Sequence, residues 1–197
     1  MKRYVCCAFA AFVAVCGSSV ALADNLVRDG GFERPIVPDG GLTRFSRGQK
    51  AGPWKVVGAA GTVDIISTDF TFEGFTTPAK RGVQWMDLTG NTNSATGVQQ
   101  RITTTPSATY LLTFFVGSAY DPTGQLGTSS TVHLLIDGSD VASFTFKAKP
   151  GSTAQQWRKF STEFVAATAA TTIAFINGDP PNDTDNGVDV VSVGLAP

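Results

Sequence analysis

Cysteine and histidine are nearly missing from this sequence. Of 197 residues, three are cysteine and one is histidine. The cysteines, Cys6, Cys7 and Cys16, all crowd the N-terminus, and no Cys-x-x-Cys pair occurs. A transition-metal site therefore has little material to draw on. Charge is also scarce, at 16% of residues, which argues against long charged helices. The 15 Lys and Arg against 16 Asp and Glu leave no basic footprint to neutralise phosphates, so nucleic acid is not an expected partner. No Gly-x-Ser-x-Gly elbow is present, which removes the familiar serine-hydrolase signature. Long apolar runs are lacking too. The one candidate, Tyr4 to Val15, is too short to span a bilayer with ease, so no membrane span is expected.

That apolar run has another reading. Lys2 and Arg3 precede it, and Ala21-Leu22-Ala23 follows with small-x-small spacing. The pattern predicts a secretory signal peptide over residues 1–23, an exported product (extracellular, cell-surface or periplasmic), and a mature domain over residues 24–197 starting at Asp24. All three cysteines leave with the leader, so no disulfide framework is expected. Cys16 followed by Gly-Ser-Ser offers a rival, lipid-anchored reading, but Val15 stands where a lipobox carries a small residue.

What the chain does have is period-two alternation. Tyr110, Leu112, Phe114 and Val116 share one face of a predicted strand. Val132, Leu134 and Ile136 form a second row, with His133 on the opposite side. Phe144 with Phe146, Phe160 with Phe164, and Ile173 with Phe175 continue the pattern. Between these runs lie Asp137-Gly138, Pro150-Gly151 and Asp179-Pro180-Pro181, which are turn residues. Many short strands punctuated this way predict an all-β sandwich or jelly roll with two antiparallel sheets.

The segment Asn25-Leu26-Val27-Arg28-Asp29-Gly30-Gly31-Phe32-Glu33 resembles the "N-L-(V/L)-x-(N/D)-G-x-F-E" opening of the domain-of-unknown-function family 642. That family includes choice-of-anchor secreted proteins and plant cell-wall proteins. Gly61 to Ile66, Gly82 to Gly90, Tyr110 to Phe114 and Gly187 to Val193 resemble later motifs in the same order. Val190 stands where that pattern carries Asp or Asn. The resemblance implies a galactose-binding-like jelly roll related to carbohydrate-binding modules. It further implies attachment to cell-wall or matrix polysaccharide, or another glycoconjugate, and no catalytic activity. A monomer is expected. A structural or protein-interaction role in the envelope or matrix, with no glycan bound, is the competing reading.

Two sets of residues stand out. Glu33 and Asp189 are acids in apolar company, and an unpaired buried carboxylate is costly. A structural Ca²⁺ held by both, as in jelly rolls similar to this one, would satisfy them. Bonds to backbone amides or arginines would do so equally. The second set concerns sugar. Trp54 and Trp157 occupy positions where the family carries Trp, which implies core packing. Trp85 shares a strand face with Asp87, away from Met86 and Leu88, and offers a stacking platform unless a loop such as 70–78 covers it. If the next strand pairs beside it, Gln99 and Arg101 flank the indole, with Tyr120 at the rim. Asp64 and Asp87 are the carboxylates a glycosidase would need. His133, on a polar strand face, is expected to be solvated. The loop 179–186 is expected to be a solvated acidic turn.

Overall fold

The computed structural model describes residues 25–180 and 185–197. The expected leader, its cleavage site and Cys16 lie outside the described residues. Fourteen strands build two six-stranded antiparallel sheets and one small hairpin, and the described residues contain no α-helix. In the first sheet the order is β1 (Leu42–Ser46), β4 (Thr62–Ser67), β7 (Gln84–Asp87), β14 (Gly187–Leu195), β9 (Thr109–Ser118), β12 (Gln156–Val165). In the second it is β11 (Ser139–Lys147), β10 (Ser129–Ile136), β13 (Ala170–Asn177), β8 (Thr96–Thr103), β3 (Trp54–Gly58), β2 (Lys50–Ala51). The hairpin pairs β5 (Thr71–Phe72) with β6 (Phe75–Thr76). This is the predicted jelly-roll sandwich.

Alternation explains the core. Tyr110, Leu112, Phe114 and Val116 on β9 are all buried, as are Val132 and Leu134 on β10. Between the sheets Phe114 meets Phe175 at 4.9 Å and Phe144 at 5.1 Å, and within its own sheet it meets its cross-strand partner Phe160 at 6.1 Å. Each such side chain contributes about 1.5–3 kcal/mol through burial. Trp54 packs here as expected, against Phe32 and Phe175. The β10–β11 turn places Asp137 and Gly138 both at positive φ (49° and 84°), the conformation that closes a two-residue hairpin.

The opening motif is not a strand. Residues 25–41 run as turns and bends, and side chains supply the bonds that a ladder would otherwise make. Asn25 donates to the Val191 carbonyl and accepts from the Val193 amide, so it clasps β14. Gln100 both accepts from and donates to the Arg28 backbone. Gln84 accepts from Val37 and donates to the carbonyls of Phe32 and Pro35. Asp29 accepts from the amides of Glu33 and Arg34. Buried backbone groups need partners, and Asn25 and Asp29 of the motif, with Gln84 and Gln100 from the sheets, provide them.

Candidate ligand-binding site

Cross-strand register lines six residues across the outer face of the first sheet. Arg44 pairs with Asp64, Asp64 with Asp87, Asp87 with Gly187, Gly187 with Gly117, and Gly117 with Trp157. Paired residues point to the same side of a sheet, so this row is charged at one end, bare in the middle and aromatic at the other. The two glycines make room for the Gln155 side chain. A Cβ on Gly117 or Gly187 would lie 2.2 or 2.6 Å from its Nε2.

The β5–β6 hairpin roofs the aromatic end. Trp85 Nε1 donates to the Thr77 carbonyl at 2.9 Å, and Trp157 Nε1 donates to the Pro78 carbonyl at 2.8 Å. Backbone bonds from Thr76 to Thr153 and from Gln155 to Thr76 fasten the same segment. The charged end stays open as a pocket of about 480 Å³. Its walls include the half-buried rings of Phe70 and Phe72, the amide side chains of Asn91, Asn93 and Gln125, and the apolar Leu42, Ile66 and Leu126. Arg44, Asp64, Asp87 and Asp185 supply its charged groups.

Within the pocket the Arg44 guanidinium grips Asp64 in two parallel bonds, Nε to Oδ1 at 2.8 Å and an Nη nitrogen to Oδ2 at 2.7 Å. Such fork-to-fork pairing fixes both groups in direction as well as charge. Asp64 also raises the pKa of Arg44. Asp87 forms no ion pair among the described residues. Burial pushes its carboxyl up to about 7, and the Asp64 charge adds to the rise, while Thr89 and the amides of Thr89 and Asn186 oppose it.

The structure separates the predicted sugar residues. Trp85 does face away from the inter-sheet core, but it is only 1% exposed because the hairpin covers it. It is therefore not a stacking platform. Asp87 lines the open pocket. Gln99 and Arg101 do not flank the indole: β8 pairs with β13 and β3 in the opposite sheet, while β7 pairs with β4 and β14. Tyr120, half-buried after β9, lines neither this pocket nor the cleft on the other face. Trp157 also departs from its expected core position and packs on the outer face, edge-on to Trp85. At the ends of the 179–186 stretch Asp179 is half-buried and Asp185 buried, rather than solvated as expected; residues 181–184, Asp183 among them, lie outside the described residues. The sequence reading did not find Arg44, Phe70, Phe72, Asn91, Asn93 or Gln125. Strand register brings Arg44 there, while loops and the small hairpin bring the others, and no local spacing signals either.

Glu33 and Asp189 do come together. A Cβ placed on Gly31 would lie 3.8 Å from Glu33 Oε1 and 3.8 Å from Asp189 Oδ1. The Glu33 carboxylate accepts from the Val83 amide at 3.1 and 3.3 Å. Asp189 accepts from Arg81 and from its own neighbour Val190. Burial pushes the Asp189 carboxyl up to about 7, with the Glu33 charge adding to the rise and the amides of Arg81, Val190 and Lys80 opposing it. Neither acid forms an ion pair among the described residues. No cluster of three or more His, Cys, Asp or Glu suited to a metal occurs among the described residues.

Known structures share this architecture. A Stig cyclase, Fisc, from Fischerella sp. TAU, solved with (3Z)-3-(1-methyl-2-pyrrolidinylidene)-3H-indole, is 14% identical with a TM-score of 0.58, over 88% of this chain and 97% of its own. An apo cyclase from Fischerella sp. is 16% identical with a TM-score of 0.56, over 88% and 96%. TmCBM61 in complex with beta-1,4-galactotriose is 14% identical with a TM-score of 0.49, over 87% and 99%. At these identities the likeness to the cyclases is one of fold. No curated protein matches the chain. Residues 25–193 match the family model described as protein of unknown function, DUF642, and the chain belongs to that family.

Proposed function

We propose that this protein is an exported, non-catalytic carbohydrate-binding module, and that the open pocket beside Arg44 and Asp64 takes a pyranose unit of a cell-wall or matrix polysaccharide. One observation carries the reading: two half-buried phenylalanine side chains, a guanidinium–carboxylate fork and planar amides line a single open pocket. A sugar presents an apolar CH face and a rim of hydroxyls, and this lining matches both. Asp64 is held by Arg44 in two bonds and acts here as an acceptor for hydroxyls rather than as a nucleophile.

The proposal includes a structural Ca²⁺ at Glu33 and Asp189. The donor set suits a hard cation, since two carboxylates meet beside Gly31 and neither forms an ion pair among the described residues. The remaining ligands would be backbone carbonyls and water, as calcium accepts. Its role is to tie the opening segment to β14 and so hold the sandwich closed, remote from the sugar pocket.

The test is retention on insoluble cellulose, xylan, mannan and galactan, comparing wild type with Phe72→Ala and Asn91→Ala. Binding in the micromolar to millimolar range to at least one polysaccharide, weakened tenfold or more by either substitution at unchanged Tm, supports the reading. Absence of retention on every polysaccharide, or retention indifferent to both substitutions, overturns it.

A further inference from the structure

The opposite face of the sandwich carries a second cleft, of about 670 Å³, over the centre of the second sheet. Its floor is unusual for a solvent-facing sheet surface, where polar side chains normally alternate outward. Val57, Leu135, Ala174 and Ile176 point outward instead. Register makes them one patch: Leu135 pairs with Ala174, Val57 and Ile176 both pair with Gly97, and Ala174 pairs with Gln99. Gly97 lets β8 and β13 approach closely beneath the patch, since a Cβ there would lie 1.9 Å from the Phe175 carbonyl oxygen.

The wall is built from polar groups held in place. His133 Nδ1 and Asp140 Oδ2 lie 3.0 Å apart across β10 and β11. That bond sets the ring orientation and leaves Nε2 on the far side of the imidazole. The ring lies against Gly178, where a Cβ would sit 2.5 Å from Cδ2 and 2.6 Å from Nε2, so a larger residue there would displace the imidazole. Asn177, at the end of β13, donates to Asn93 and Ser94 and accepts from Asp179 and Asn186. The rim is thus fixed before any ligand arrives, which lowers the ordering cost of binding.

We infer that this cleft is a second glycan-binding site, and that the protein is bivalent and bridges two polysaccharide chains. An apolar floor the breadth of a sugar ring, edged by an imidazole, a carboxylate and the Gln99 amide, offers contact to a CH face and acceptors and donors to hydroxyls. The inference rests on the reading given for the Arg44 pocket. The two sites open on opposite faces of a sandwich whose sheets pack about 10 Å apart, so one extended chain does not fill both. Joining two binding events in one rigid body converts modest single-site affinities into chain-to-chain adhesion.

The experiment is an amide NMR titration with the hexasaccharides of β-1,4-linked glucose, xylose, mannose and galactose, followed by light scattering with soluble hydroxyethylcellulose, arabinoxylan, galactomannan and galactan. Two separable sets of shifts are expected, one around Phe72 and Asn91 and one around His133, Gln99 and Ala174, with a stoichiometry near two. Scattering should rise with wild type and fall to the polysaccharide-alone level for Phe72→Ala and for Gln99→Trp, each retaining its intact site. His133→Ala provides a second variant of the cleft should Gln99→Trp fail to fold. Shifts confined to the Phe72 pocket, with scattering unaltered by the cleft variants, overturn bivalency and leave the first reading standing. Shifts confined to the His133 cleft overturn the first reading and bridging together, and shifts nowhere overturn both.

Discussion

Trp85 and Trp157 meet edge to face, with ring centroids 5.7 Å apart, on the outer side of a sheet that would otherwise face water. Both indole nitrogens donate to carbonyls of the segment that follows the β5–β6 hairpin. The pair is a small second core that anchors the hairpin forming one wall of the pocket. Trp85→Ala should therefore act on stability, by about 3–5 kcal/mol as for large buried aromatics, measured by urea unfolding. Trp157→Phe, which keeps most of the ring and loses the bond to Pro78, should cost about 1 kcal/mol. A Trp85→Ala protein with unchanged stability would contradict this placement.

Asp87 makes the protein's stability depend on pH. Its carboxyl is raised to about 7 when folded, burial being the main cause, against about 3.9 in an unfolded chain. Between these values the folded state holds a proton that the unfolded state has released. Stability therefore falls as pH rises from about 4 to about 7, then levels off. Thermal unfolding across that range should show Tm declining by on the order of a few °C. Asp87→Asn, which cannot ionise, should reduce that slope and leave the share of Asp189, whose carboxyl is likewise raised to about 7. An unchanged slope in Asp87→Asn would assign the dependence to other groups.

Period-two alternation made the sandwich legible in the sequence, because a sheet with one buried face writes its core directly into every second residue. The side of the strand on which Trp85 sits was legible for the same reason. Its cover was not, because whether residues 70–78 fold back over β7 is a tertiary outcome that no spacing encodes. Sheet membership was equally hidden. Residues 84–87 and 96–103 are successive large-sheet strands in the chain, yet they enter different sheets, which parted Gln99 and Arg101 from Trp85. Conversely, Asp64 and Asp87 are distant in sequence and direct cross-strand partners. The apolar surroundings of Glu33 and Asp189 signalled only that each acid needs a partner; that the two meet was implied by the family resemblance, and a bonded coil rather than a strand delivers Glu33.

The calcium proposal has its own signature. A ligand of the native state raises stability by mass action, by about 2.7 kcal/mol at a hundredfold excess over Kd. Adding CaCl₂ to chelator-treated protein should raise Tm, and EGTA should reverse the shift. Glu33→Gln and Asp189→Asn should each abolish it. Gly82→Ala should do so too, since a Cβ there would lie 1.9 Å from Glu33 Oε1 and would displace that carboxylate. A Tm indifferent to calcium in the wild type would leave the two acids held by backbone amides alone.

Val190 is the residue least suited to its backbone. It sits at φ +52°, in the bulge where β14 breaks register with β9 between Asp189 and Ser192. A β-branched side chain is a poor occupant of the left-handed region, which Gly and, less readily, Asn and Asp tolerate. The bulge is retained because it turns Asp189 toward the Arg81 amide and lets its Oδ1 accept from the Val190 amide. The family pattern carries Asp or Asn at this position, in keeping with that geometry. Val190→Asn should relieve the strain and stabilise the protein by about 0.5–1 kcal/mol, with Val190→Gly giving a similar gain and Val190→Ile none. Equilibrium unfolding of the three variants checks the ordering. A destabilised Val190→Asn would mean that packing of the valine methyls outweighs the backbone cost at the bulge.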